Sequence, residues 1–345
     1  MIPIQNIYYM LSYAFQVLNE QCYKNIATEQ FHNTAELMAA ILEKGIAIQL
    51  KRGLGKEYIP QTEALSSLRG KIDIAESIKT QSMLRKQLIC TYDEFSVNSI
   101  MNRIIKSTVE LLLRSNISKQ RKKNLRKLMV YFSEVDFIDL YTVNWNVQYN
   151  RNNQTYRMLI SICYLVVKGL LQTQSNGHTK LMDFLDEQRM CRLYEKFILE
   201  YYRKEFKNQI TANASQIPWQ LDNEENSMLP VMQSDIMLQS GEKVLIIDAK
   251  YYEHSTQVQF DKHTLHSGNL YQIFTYVKNK EYELREKDHT VSGMLLYAKT
   301  DEEIYPNNVY QMSGNQIAVR TLDLNLPFDE IASQLNTIAK THFDL

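Results

Sequence analysis

Residues 234–252, SDIMLQSGEKVLIIDAKYY, constrain the fold more than any other stretch of the chain. Two strand-like runs, SDIMLQ (234–239) and KVLIIDAKYY (243–252), are joined by Ser-Gly-Glu, and Ser240-Gly241 is a natural two-residue hairpin turn. Val244 to Ile247 are four apolar residues in a row, which reads as a buried strand. That strand ends on an acid and a base, Asp248 and Lys250. Side chains alternate along a strand, so these two share a face while Ala249 points into packing.

The surroundings of the hairpin set the fold class. A helix is expected over 188–207, then a polar segment with Pro218 and Pro230, the hairpin, a helix over 268–280 and a strand at SGMLLYAKT (292–300). A last helix, started by Pro327, covers 327–342. Helix, hairpin, helix and strand in that order describe an α/β domain with a mixed sheet flanked by helices. The earlier half reads as α+β. Helical periodicity covers 5–18, 34–50, 97–115 and 156–174, and short strands such as QLICTYDEF lie within 58–95. With 345 residues the chain is long enough for two domains. The polar loop QTQSNGHTK (172–180) places the boundary between 1–178 and 179–345.

Composition narrows the class further. A 44% hydrophobic and 23% charged chain is that of a soluble globular protein. Its formal net charge is zero, so any contact with nucleic acid must come from local basic patches. Cys22, Cys90, Cys163 and Cys191 form no C-x-x-C pair and read as reduced thiols of a cytoplasmic protein. The opening MIPIQNIYYMLSYAF lacks a basic n-region and a cleavage site, so no signal peptide is expected. The apolar run 158–171 is shorter than the about 20 residues a membrane span needs and contains Lys168. No membrane association is expected.

The strand end carries the chemistry. Asp235 opens the preceding strand, thirteen residues before Asp248. Pairing about Ser240-Gly241 sets position 235 near 246, and a modest stagger brings its carboxylate toward that of Asp248. Two converging carboxylates suit Mg²⁺, which takes hard oxygens and keeps several waters. Lys250 beside them would position a water or stabilise charge on a phosphate. The spacing alone is equally that of an ion-paired strand end. Two helices add to it. Gln272 and Tyr276 in QIFTY are four apart and share a helix face. LYEKFILEYY (193–202) carries Glu195, with Glu200 as the alternative acid.

The pattern D…D-x-K followed by Q-x-x-x-Y resembles the RecB-like branch of the PD-(D/E)xK nucleases, with SD in place of PD. The chain also resembles McrC-type subunits of modified-cytosine restriction systems. The strings that carry this resemblance are IPIQNIYYMLSYAF, LRGKID (68–73), CTYDEFSVNSIMNRI (90–104), LYEKF and NLYQIFTYV (269–277), in the same order. It implies a C-terminal PD-(D/E)xK nuclease domain in which Asp235, Asp248 and Glu195 hold Mg²⁺, with Mn²⁺ able to substitute. Lys250, Gln272 and Tyr276 would complete the catalytic set. It further implies an N-terminal adaptor that docks on an McrB-like AAA+ GTPase hexamer ring and stimulates its GTP hydrolysis, and double-stranded DNA containing modified cytosine as substrate. The alternatives are a non-catalytic activator of the ring and a stand-alone RecB-like repair nuclease. The pattern G-x-x-x-x-G-K-[ST] occurs nowhere, so no nucleotide site is expected in this chain.

Basic residues supply candidate contacts to DNA or to a partner. SKQRKKNLRK holds Lys119, Arg121, Lys122, Lys123, Arg126 and Lys127. Lys51, Arg52 and Lys56 around a glycine turn, with Arg69 and Lys71 in LRGKID, would form an exposed basic finger. His263 and His266 read as a polar surface loop rather than a metal pair, and Tyr8, Tyr9 and Tyr13 as packing.

Overall fold

A computed structural model of the chain describes residues 2–15, 31–150, 155–175, 187–222, 228–252, 257–259, 262–299 and 305–345, with single positions 18, 23, 26, 29 and 153. Cys22 and the expected boundary at 178/179 lie outside the described residues. The chain forms two compact units, Met1–Glu29 with Leu185–Leu345, and Gln30–Phe184.

Helix α1 (Ile4–Ala14) belongs to the first of these units. Its Asn6 amide donates to the carbonyls of Leu324 and Leu326, both at 2.8 Å. The helix expected over 5–18 is shorter in the structure and ends at Ala14, with an extended Phe15 after it.

The unit Gln30–Phe184 holds α2 (Thr34–Arg52), β1 (Glu57–Leu65), β2 (Lys71–Asp73), α3 (Ile74–Lys79), β3 (Leu88–Ser96), α4 (Ile100–Arg114), α5 (Lys119–Met129) and α6 (Tyr156–Ser175). Helix α2 starts where Asn33 caps the Glu36 amide and ends at Gly53 with φ +91°. Lys51 and Arg52 thus sit in a helix's last turn, where the macrodipole favours cations, rather than in a loop. Leu37, Ile41, Leu42 and Ile46 of α2 and Ile104, Ile105 and Val109 of α4 are all buried. The antiparallel sheet runs β1-β3-β2 and carries Arg69 and Lys71 at its exposed margin. Its base is tied to the helices through Tyr156, whose hydroxyl accepts from the Gly55 amide and donates to Asn102 Oδ1, both at 2.7 Å.

In the other unit follow α7 (Glu187–Glu205), β4 (Thr211–Asn213), β5 (Gln216–Ile217), β6 (Met232–Gln233), β7 (Ile236–Ser240), β8 (Lys243–Lys250), β9 (Gln257–Gln259) and β10 (Lys262–Thr264). Then come α8 (Ser267–Glu283), β11 (Thr290–Ala298), β12 (Asn308–Met312), β13 (Asn315–Leu322) and α9 (Phe328–Phe343). Six strands form a mixed sheet in the order β12-β13-β11-β8-β7-β4. The pairs β8–β11 and β11–β13 are parallel, and β7–β8, β12–β13 and β4–β7 antiparallel. Helices flank this sheet, so the unit has the mixed α/β architecture expected.

Strand β8 is central and buried, and its two faces meet different neighbours. Val244 and Ile246 join Ile273 and Val277 of α8 in one cluster. Gly293 of β11 allows the close approach of α8, because an added Cβ there would lie 2.8 Å from Ile273 Cγ1 and 2.9 Å from Val277 Cγ2. Tyr194, Phe197 and Ile198 bury the apolar stripe of α7. The hairpin differs from expectation by one register step. Ser240 pairs with Lys243, so the tight turn is Gly241-Glu242, with glycine at the position of positive φ, +56°. The β12–β13 hairpin, turning at Ser313-Gly314, goes beyond the elements expected from sequence.

A candidate active site at the end of β8

The register fixes the site. With Ile236 opposite Ile247, one further step sets Asp235 opposite Asp248, not near 246. Asp235 sits one residue before β7 and its Oδ2 accepts from the Ala249 amide at 3.0 Å. That bond locks the carboxylate against the end of β8. Asp248 is 1% exposed and shares the α8-facing side of β8 with Lys250. Lys250 Nζ lies 3.0 Å from Asp248 Oδ1 and 2.9 Å from Oδ2. Oδ2 makes that close ion contact yet has no hydrogen bond of sound geometry, and is buried.

A relay continues along α8. Lys250 Nζ donates to Gln272 Oε1 at 3.4 Å, and Gln272 Nε2 donates to the Tyr276 hydroxyl at 3.0 Å. One turn of helix separates Gln272 from Tyr276, which is why an i, i+4 pair suffices. The ammonium has three donors. One reaches the Asp248 carboxylate and one Gln272, which leaves one for another group.

The electrostatics follow from crowding acids in a buried place. Burial pushes the Asp248 carboxyl up; Lys250 pulls it back and Asp235 adds to the rise, leaving it at about 7. Burial also works against the Lys250 ammonium, but Asp248 beside it more than offsets this, and its pKa is raised. Lys250 therefore stays charged. Glu195 of α7 is raised by burial first and by Asp235 second. The Cys191 thiol donates to Glu195 Oε1 at 3.0 Å and lies 3.9 Å from the Ala249 carbonyl. Burial, then the bond to Glu195, hold that thiol up at about 12, so it remains a donor. Glu200, the alternative upstream acid, is instead engaged by Arg203 Nη1 at 2.7 Å.

The donor set suits a hard divalent cation. Among the described residues no three acid, histidine or cysteine side chains gather into a complete metal shell. Mg²⁺ asks for less, one or two carboxylates with waters and substrate oxygens. The buried Asp248 carboxylate, whose Oδ2 lies 2.9 Å from the Lys250 ammonium, and the carboxyls of Asp248 and Glu195, raised first by burial and further by Asp235, are what such a cation would relieve.

The structure thus brings Asp235, Asp248, Lys250, Gln272 and Tyr276 together, with Glu195 electrostatically coupled to Asp235. It places the basic candidates Lys51, Arg52, Arg69, Lys71, Lys119, Arg121, Lys122, Lys123 and Arg126 in the other unit. Sequence reading does not single out Cys191, although it stands one turn before Glu195 on the same helix. A polar cavity of about 840 Å³ is lined by residues of β11, β13 and α9, and none of the acid–lysine set is among them. His266 caps α8 and packs its ring 5.4 Å from that of Tyr252, whereas the His263 side chain lies outside the described residues. No helix of the described residues is long and apolar enough to cross a membrane.

The chain is thus a mixed α/β protein with acids and a lysine gathered at the end of a central strand. The model of a family described as McrBC 5-methylcytosine restriction system component matches residues 5–298. The chain belongs to that family. It is 29% identical over 340 residues, 97% of its length and 96% of the relative's, to the type IV methyl-directed restriction enzyme EcoKMcrBC of Escherichia coli K12. One solved structure is the half-complex of Thermococcus gammatolerans McrB AAA+ hexamers with bound McrC. It is 18% identical with a TM-score of 0.48, over 97% of this chain and 76% of that one. The cryo-EM structure of the McrBC complex from the same organism is 20% identical, with a TM-score of 0.42 over 59% of each chain.

Proposed function

We propose that the chain is the McrC-type nuclease subunit of a methylcytosine-dependent restriction system. In this reading the Met1–Glu29 and Leu185–Leu345 unit is a PD-(D/E)xK-type nuclease that hydrolyses phosphodiester bonds in double-stranded DNA. The observation that carries it is the Asp235–Asp248–Lys250–Gln272–Tyr276 array, which sets two acids in register at a buried strand end beside a lysine held by a relay. An ordinary ion-paired strand end has no use for a second acid in register or for a relay that aims the lysine.

Asp235 and Asp248, with Glu195 directly or through water, would hold Mg²⁺. When bound, the cation makes water a better nucleophile and neutralises phosphate charge. Lys250, kept protonated by Asp248, cannot take a proton from water; it stabilises charge developing on the phosphate oxygens with its remaining donor. Gln272 fixes the ammonium, and Tyr276 fixes the Gln272 amide. The Ala249 amide and the Cys191 thiol hold Asp235 and Glu195 in place.

The same reading divides the labour between two chains. The sequence has no G-x-x-x-x-G-K-[ST], and in this reading nucleotide hydrolysis belongs to the partner, an McrB-like AAA+ GTPase ring whose activity the unit Gln30–Phe184 would stimulate. The test is cleavage of methylated and unmethylated plasmid in Mg²⁺, with and without the partner and GTP. Methylated plasmid is expected to be cut only when partner, GTP and Mg²⁺ are all present. Equal cutting of both plasmids without partner would replace this reading with a stand-alone nuclease.

A further inference from the structure

Helix α5 carries a charge pattern that the rest of the molecule avoids. Between Glu110 and Glu134 the sequence has no acid, but it has Arg114, Lys119, Arg121, Lys122, Lys123, Arg126 and Lys127, in a chain of zero net charge. Other exposed helices pair their charges along one face, as Glu76 with Lys79 in α3, and Lys278 with Glu281 and Lys280 with Glu283 in α8. On α5 the pairs 119/123, 122/126 and 123/127 are like charges at i, i+4, each a repulsion. Lys119 and Lys122 also stand in the first turn, where the macrodipole disfavours cations.

Two sides of the helix do different things. On the inner side Leu125 is fully buried. Arg121 Nη1 pairs with Glu43 at 2.9 Å and its Nε lies 3.4 Å from Glu36, while the Asn124 amide donates to Glu43 at 2.9 Å. The Ser118 cap accepts from the Arg121 amide and gives its own N–H and hydroxyl to Glu36. Those bonds rivet α5 to α2. On the outer side Lys119, Lys123, Arg126 and Lys127 are exposed and Lys122 half-buried. Among the described residues these five have no acid partner. Their positions, i, i+3, i+4, i+7 and i+8, form one stripe. Eight residues rise about 12 Å, a length over which one strand of a duplex presents three to four phosphates.

We propose that this stripe binds the phosphate backbone of double-stranded DNA without regard to sequence. The cations hold three to four phosphates, and Arg121, though part of the same basic run, is a structural rivet that does not touch DNA. The inference does not rest on the nuclease reading.

The test is fluorescence anisotropy of the full-length chain with an unmodified duplex of about 30 base pairs, titrated from about 50 to about 200 mM salt without divalent metal or partner. The comparison is with a quadruple variant, Lys119→Gln, Lys123→Gln, Arg126→Gln and Lys127→Gln, whose melting curve checks the fold. Each phosphate that the stripe no longer neutralises flattens the salt slope by about 0.9. The variant's slope should fall by about 3, so that wild type weakens about 60-fold more than the variant over that salt range. Arg121→Gln should melt earlier while keeping the wild-type slope. Equal slopes for wild type and the quadruple variant overturn the proposal and leave a solvated helix face. Equal slopes combined with weakened stimulation of the ring's GTP hydrolysis overturn it in favour of an acidic protein surface as the stripe's partner.

Discussion

The two sheets of this molecule use similar residues to opposite ends. The six-stranded sheet buries its central strand, and there Asp248, 1% exposed, has its carboxyl pushed up to about 7. In the three-stranded sheet Glu57, Glu63, Asp93 and Glu94 stand on β1 and β3 as exposed or half-exposed groups, and Phe95 and Tyr58 are 55% and 72% exposed. The difference is the layer behind the strand. Where helices cover both faces, a charge is desolvated, needs a partner and becomes chemically poised. Where water covers a face, the same charge is screened and inert. What separates the two sheets is burial and register, not residue type.

That contrast can be broken at several points. Lys250→Ala should lower cleavage in the assembled complex by about 10²–10³-fold, the scale of removing one preorganised charge-stabilising donor, as read by initial rates. Cys191→Ala should raise the Mg²⁺ concentration for half-maximal cleavage by about tenfold, the cost of removing a supporting bond to Glu195, the proposed metal ligand, while Cys191→Ser restores much of it. Lys71→Ala on the exposed sheet should leave the rate of DNA hydrolysis per bound complex within about twofold. On stability, Ile246→Ala should cost about 2–5 kcal/mol in denaturant melts because it opens a hole in the β8–α8 core. Phe95→Ala should fall within about 0.5 kcal/mol.

A pH comparison sharpens the same point. Asp248 and Glu195 are raised in the folded state, so each contributes stability that is present at low pH and lost as pH rises, for Asp248 through about 7. Metal-free wild type should therefore lose stability relative to Asp248→Asn between about pH 5 and about pH 8. If Mg²⁺ binds the ionised carboxylates as proposed, adding it should raise the melting temperature of wild type more at the upper end of that range than at the lower. A difference between wild type and Asp248→Asn that does not change with pH would contradict this.

The sequence displays some of this plainly and hides the rest. Val244–Ile247 announces β8 because four apolar residues in a row need burial, and Gln272 with Tyr276 announces a helix face because i, i+4 spacing is local. The hairpin register differs by one step, since Ser240-Gly241 and Gly241-Glu242 both suit a tight turn and only the packed sheet chooses. β12 escapes notice because Asn308–Met312 is an exposed edge strand without an alternating apolar face, although Ser313-Gly314 is a turn dipeptide. Nothing local reveals that Asn6 reaches Leu324, or that Arg121 reaches Glu43, because such partners are far apart in the chain. Helix periodicity gives faces; it does not give what the faces meet.

As a cleavage centre, the proposed site at the end of β8 would be separable from any role in stimulating the ring. The most direct measurement is Asp248→Ala assembled with the partner, read for both DNA cleavage and GTP hydrolysis on methylated plasmid in Mg²⁺. Cleavage should fall by about 10³-fold or more with GTP hydrolysis still stimulated. Cleavage at the wild-type rate would mean that Asp248 and Lys250 are only an ion pair at the end of a strand.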